Sequence, residues 1–87
     1  MTRWTVETSP EFDKAVRKLD RVVAARILTY LDGLAELDDP RARGKRLSGN
    51  LSHFWRYRIG DFRLLVEVRD ETLVVVAVRL GHRSSVY

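Results

Sequence analysis

Cysteine is absent from the 87-residue chain, and histidine occurs only at His53 and His82. Disulfides, thiolate metal sites and thiol nucleophiles are thereby excluded, and a protein-built zinc site lacks its usual ligands. The expectation is a protein with neither metal nor cofactor. With two prolines and five glycines, no Pro- or Gly-rich linker divides the sequence. No apolar run approaches the roughly 20 residues that span a bilayer. The opening Met1-Thr2-Arg3-Trp4-Thr5-Val6-Glu7 has no continuous apolar stretch of a secretory signal either. A cytoplasmic protein without membrane attachment is expected. What is present is globular material, 45% hydrophobic and 32% charged residues, far from the composition of disorder. A chain this short buries only about 60–65% of its unfolded surface. That supports one core, so residues 1–87 are read as a single domain and a multi-layer enzyme is excluded.

Charge is localised. The overall balance is +4, yet Arg41, Arg43, Lys45, Arg46, Arg56, Arg58 and Arg63 face a single acid, Asp61, between positions 41 and 63, giving that stretch +6 and the rest −2. Such a segment is the electrostatic footprint of a polyanion partner, and nucleic acid is the commonest in a cytoplasm.

Residues 3–8 alternate Trp4 and Val6 with Thr5 and Glu7, the period of a half-buried strand. Ser9-Pro10-Glu11 then reads as N-cap, first helical residue and early acid. Phe12, Ala15, Val16 and Leu19 follow at helical spacing, so a short helix ends near Leu19. Asp20 caps a second helix with Val23, Ile27, Tyr30, Leu31 and Leu34 on one stripe, stopped by Asp38-Asp39-Pro40. Residues 41–52 carry the loop signals Gly44, Ser48, Gly49, Asn50 and Ser52 and form a basic loop. Three β-rich runs follow, roughly 53–59, 62–69 and 72–80, joined by two-residue turns at Gly60-Asp61 and Asp70-Glu71. The fold class is therefore α+β: β-α-α-β-β-β, an antiparallel meander with a helical hairpin packed on one face. Trp4, Phe12, Tyr30 and Trp55 are assigned to the core, and His53 to a structural position.

A two-residue turn at Gly60-Asp61 sets Ile59 opposite Phe62, Arg58 opposite Arg63, Tyr57 opposite Leu64 and Arg56 opposite Leu65. Trp55, Tyr57, Ile59, Phe62, Leu64, Val66 and Val68 then share the helix-covered side, leaving Arg56, Arg58, Arg63 and Glu67 on the other. Like charges directly across a ladder are unfavourable, so stability does not account for Arg58 facing Arg63. The Asp70-Glu71 turn puts Val78 opposite Arg63 and brings Leu80-Gly81-His82-Arg83 out beside the arginines.

Guanidinium groups on an open sheet face suit RNA cleavage by the RNA's own 2′-hydroxyl. Charge builds on the phosphorane oxygens and then on the leaving 5′-oxygen. Arginine is always charged and binds phosphate as a fork. An aromatic ring beside it can stack on a splayed base. Histidine is the residue type suited to proton transfer at neutral pH, which makes His82 the nearby candidate.

Gly60-Asp61-Phe62-Arg63-Leu64-Leu65-Val66-Glu67-Val68, Leu73-Val74-Val75-Val76-Ala77-Val78, Gly44-Lys45-Arg46-Leu47-Ser48-Gly49 and the ending Gly81-His82-Arg83-Ser84-Ser85-Val86-Tyr87 resemble the RelE toxins of the RelE/ParE superfamily. The element order resembles that family along essentially the whole chain. The resemblance implies a RelE/ParE-like, microbial RNase-like fold. It also implies a type II toxin that cuts mRNA in the ribosomal A site, a metal-independent endoribonuclease that inhibits translation. The resemblance further implies a RelB-like antitoxin, expected to be acidic, that holds the toxin inactive. Carried over by position, Arg56 and Arg58 match the two basic residues before the turn, Arg63 the phosphate-binding arginine, Arg83 the second arginine, and Tyr87 the terminal tyrosine. With His82 these form the candidate catalytic set, and Arg41, Arg43, Lys45 and Arg46 are candidate RNA- or ribosome-binding residues. Several RelE toxins have lysine where this chain has Arg56 and Arg58, and arginine cannot act as a base. Two rival readings keep the fold: a ParE-like inhibitor of DNA gyrase, and a non-catalytic RNA-binding module.

Overall fold

The computed structural model describes residues 4–82. Strand β1 (Thr5–Thr8) leads into helix α1 (Pro10–Arg17) and helix α2 (Arg21–Ala35). A 3-10 turn at Pro40–Arg43 precedes β2 (Lys45–Arg46), and another at Gly49–Leu51 precedes β3 (Phe54–Ile59), β4 (Phe62–Arg69) and β5 (Val74–His82). The sheet order is β1-β5-β4-β3-β2. The α+β class stands as expected from the sequence, with two additions.

First, the stretch 41–52 is not wholly loop. Lys45 pairs with Arg56 and Arg46 with Trp55, so β2 adds a short antiparallel edge strand. Two residues are too few for periodicity to register. Second, β1 lies parallel to β5, Thr5 opposite Val74 through Thr8 opposite Ala77, which makes the sheet mixed.

Local chemistry sets the helices. The Ser9 hydroxyl accepts the Phe12 amide at 3.0 Å, Pro10 occupies the first turn, and Asp20 caps α2 through the Val22 amide at 3.1 Å. One stripe of α2, with Ile27, Leu31 and Leu34, packs on the sheet with Phe12 of α1 and Trp4. Tyr57, Ile59, Leu64, Val66, Val75 and Ala77 meet them from β3, β4 and β5. Trp55 and Tyr30 pack partly buried against this cluster, while His53 is exposed with its ring 4.5 Å from that of Phe54. The Tyr57 hydroxyl, fully enclosed, donates to the Pro40 carbonyl at 2.7 Å. Burial pushes its pKa above the ordinary phenol value and keeps it protonated as a donor. Gly44 lies against this ring so closely that a Cβ there would come within 2.8 Å of it. Chain reversal at the end of α2 is thus pinned to the middle of β3.

Two register features correct the expectation for β5. The β4–β5 connection is a four-residue turn, Asp70 to Leu73, not the two-residue Asp70-Glu71. A β-bulge at the Leu65/Val66 step then leaves Val78 as the extra residue of β5. Arg63 consequently faces Gly81 rather than Val78. The bulge is anchored from outside the ladder: the Ser9 hydroxyl donates to the Val78 carbonyl at 2.6 Å, and the Ser9 amide to the Ala77 carbonyl at 2.9 Å. Among the described residues no helix is long and apolar enough to cross a membrane.

Candidate nucleic-acid interface

The Gly60-Asp61 turn is the origin of the site. Gly60 has φ +60° at the first central position, as a two-residue hairpin turn of this hand requires. It fixes the register Ile59–Phe62, Arg58–Arg63, Tyr57–Leu64, Arg56–Leu65 that the sequence predicts. Because paired residues project to the same side, the face opposite the helices is organised in rungs. One rung carries Arg58, Arg63 and Gly81. The next carries Lys45, Arg56, Leu65 and Arg79. A third, Phe54, Glu67, Val76 and Glu7, turns acidic.

Among the described residues no carboxylate forms an ion pair with Lys45, Arg56, Arg58 or Arg63. Arg63 donates to the Phe62 carbonyl at 3.2 Å, and the buried Nε of Arg56 has no hydrogen-bond acceptor. A buried donor left unsatisfied costs about 1–3 kcal/mol, so the arrangement is not explained by folding. Leu65 and Val76, both under a tenth exposed, give the face an apolar floor between its charged side chains. Guanidinium groups over such a floor can hold the oxygens of a phosphodiester by charge-assisted hydrogen bonds.

The other sequence candidates do not all converge here. Lys45 joins Arg56, but Arg46 pairs with Trp55 on the helix side and donates from Nε to the Ser52 carbonyl at 2.8 Å. Arg41 is committed to structure: it pairs with Asp39 at 2.9 Å and with Asp70, tying the 3-10 turn to the β4–β5 turn. The hydrogen bond from Arg41 holds the Asp70 carboxyl below its ordinary pKa. Arg43 sits near the Tyr30 phenol, whose pKa burial raises and Arg43 lowers. His82 is opposite Phe62, with ring centroids 5.6 Å apart and edge to face. Strand pleat therefore sets it on the helix side of β5, separated from the arginine rung. The expectation that His82 stands among the arginines is corrected by the bulge and by the length of the turn. Arg83 and Tyr87 lie outside the described residues. Sequence reasoning missed Arg79, because only the shifted register puts it on the open face. Among the described residues no cluster of histidine and acidic side chains is suited to hold a metal ion.

Comparison with solved structures places this geometry among toxins. The toxin–antitoxin complex RelBE2 of Mycobacterium tuberculosis contains a chain 29% identical, with TM-score 0.85 over 98% of this chain and 97% of that one. The archaeal RelE–RelB complex of Pyrococcus horikoshii has a chain 26% identical, with TM-score 0.75 over 99% and 100%. A mutant of the Escherichia coli toxin RelE in the free state shares the fold at 24% identity and TM-score 0.75, over 94% and 84%. No curated protein matches the chain significantly. The family model described as ParE toxin of type II toxin–antitoxin systems matches residues 6–87. With two helices on a five-stranded mixed sheet and this match over nearly its whole length, the chain belongs to the RelE/ParE superfamily of type II toxins.

Proposed function

We propose that the protein is a RelE-type toxin that cuts mRNA on the ribosome by metal-independent attack of the RNA 2′-hydroxyl. The observation that carries this reading is the Arg58–Arg63 pair: two like charges set directly across a ladder on the uncovered face, with Arg56 beside them and, among the described residues, no carboxylate in an ion pair with any of the three. A scissile phosphate between them neutralises the repulsion. The 2′-oxygen attacks phosphorus as its proton is removed, the bond to the 5′-oxygen breaks, and that oxygen takes up a proton. The products are a 2′,3′-cyclic phosphate and a free 5′-hydroxyl.

Arg56 and Arg58 position the strand and balance its charge. Arg63, with Arg83, stabilises the phosphorane and leaving oxygen, and Tyr87 stacks on or orients a base. His82, with its ring against Phe62, is not given the proton-transfer role. His82→Ala is expected to lower cleavage far less than the roughly 100-fold or more that loss of a general base costs. The partners in this reading are the ribosome with its mRNA and an acidic RelB-like antitoxin, as in the RelE–RelB complexes that share the fold.

A gyrase-inhibiting reading is favoured by one observation, the ParE description of the matching family model. Toeprinting of a translated mRNA, with and without ribosomes, separates the two when paired with a gyrase supercoiling assay. Ribosome-dependent cuts that vanish with Arg63→Ala support the proposal. Intact mRNA together with blocked supercoiling overturns it.

A further inference from the structure

Beyond the arginine pair, the open face holds a second cationic rung, in which Arg56 stands between the scissile position and two further cations, Lys45 and Arg79. We propose that Lys45, Arg56 and Arg79 form a binding position for the phosphodiester next to the scissile one, with Arg79 as a positioning residue. This rests on the reading of the Arg58–Arg63 rung as the place of the scissile phosphate.

Register carries the inference. Arg56 and Arg58 are two residues apart on β3, so the rungs are separated by about 7 Å along the strand. That is comparable to the distance between successive phosphates in an extended single strand. Lys45 flanks Arg56 on β2, and Arg79 stands on β5 across Leu65. Cations therefore stand on both sides of a nearly buried apolar side chain within the rung, the form of a shallow trough that an RNA strand follows along β4, at right angles to the rungs.

The bulge is what puts Arg79 there. In an unbroken ladder, continuing the Val66–Ala77 register would set Val78 opposite Leu65. The extra residue moves Arg79 into that place instead. Ser9 holds the bulge through the Val78 carbonyl, so the helix cap and the placement of this cation are one device. Arg79 is restrained only loosely by the protein: its Nε meets Glu11 at 3.3 Å, both side chains being about half exposed, at 45% and 61%. An exposed pair of this kind is weak, and a phosphate can displace it.

The test uses the full chain and a short single-stranded RNA whose 2′-oxygens are methylated to prevent cleavage. Copies of this probe carry one uncharged methylphosphonate linkage, at the scissile position or at either neighbour. Wild-type binding is expected to weaken about 3- to 10-fold when one particular neighbour is neutralised. Arg79→Gln is expected to weaken binding of the unmodified probe similarly and to lose sensitivity to that linkage. The salt slope of binding should fall in magnitude by roughly 0.7, one phosphate's worth for a single strand. Arg79→Lys should retain most affinity, and Glu11→Gln should bind as well or better, which separates phosphate contact from loss of the surface pair. If Arg58→Gln weakens binding while Arg79→Gln and neutral neighbours leave it unchanged, the second position is refuted and the proposed function survives. Binding indifferent to Arg58, Arg63 and Arg79 alike overturns both.

Discussion

At the scale of the residue, Arg58 and Arg63 show a conflict between folding and use. Directly opposed like charges destabilise a ladder by a few tenths to about 1 kcal/mol, so Arg58→Gln is expected to raise stability by that amount. In a domain of this size the thermal midpoint should rise by up to about 4–8 °C. Ribosome-dependent cleavage by the same variant should fall. Calorimetry and toeprinting on one preparation read both, and a variant that loses stability together with activity would show Arg58 to be a structural residue. This pair was legible in sequence, since Gly60-Asp61 is a strong two-residue turn signal and the pleat has a period of two. His82 was not. Its side of the strand depends on counting residues through a turn and a bulge that leave no pattern in the sequence, and an error of one residue moves a side chain to the opposite face.

At the scale of the element, the β4–β5 turn decides that count. Leu73 closes it with φ +55°, a left-handed conformation that costs a non-glycine residue about 1–2 kcal/mol. The strain is held by neighbours: the Leu73 amide donates to the Asp70 carbonyl at 3.4 Å, and its carbonyl accepts the Thr5 amide at 2.9 Å, which starts the parallel pairing of β1. Leu73→Gly removes the strain at some cost in unfolded-state entropy. It is expected to raise stability by about 1 kcal/mol in denaturant titration. A loss instead would mean that the half-exposed leucine side chain contributes more by packing than its backbone costs. The helices behaved as their caps and stripes predicted. The first ends at Arg17 and the second at Ala35, each a little before the sequence signals for stopping, while Leu19 and Leu37 just beyond the helix ends still pack against the core. Short β2 went unseen for the opposite reason: its existence depends on the partner strand and not on its own two residues.

At the scale of the whole molecule, the +6 segment does not act as one patch. Its residues divide among an open face, a helix-side edge and a structural ion-pair network. Binding of single-stranded RNA should therefore weaken with salt according to the open-face cations alone, each engaged phosphate adding roughly 0.7 to the slope. Arg41→Ala should lower the thermal midpoint while leaving that slope unchanged, whereas Arg63→Gln should reduce the slope without lowering the midpoint. A slope that falls with Arg41→Ala would mean that the loop binds RNA after all. The sequence by itself determined the α+β order, the core stripe of α2, the β3–β4 register and the opposition of Arg58 and Arg63, since each follows from periodicity, caps or a tight turn within about ten residues. Tertiary structure alone decided the parallel docking of β1 on β5, the edge strand at Lys45, the side on which His82 stands and the arrival of Arg79 on the open face. Those depend on contacts between segments far apart in sequence, above all the Ser9 hydroxyl on the Val78 carbonyl 69 positions away, and no local pattern encodes them.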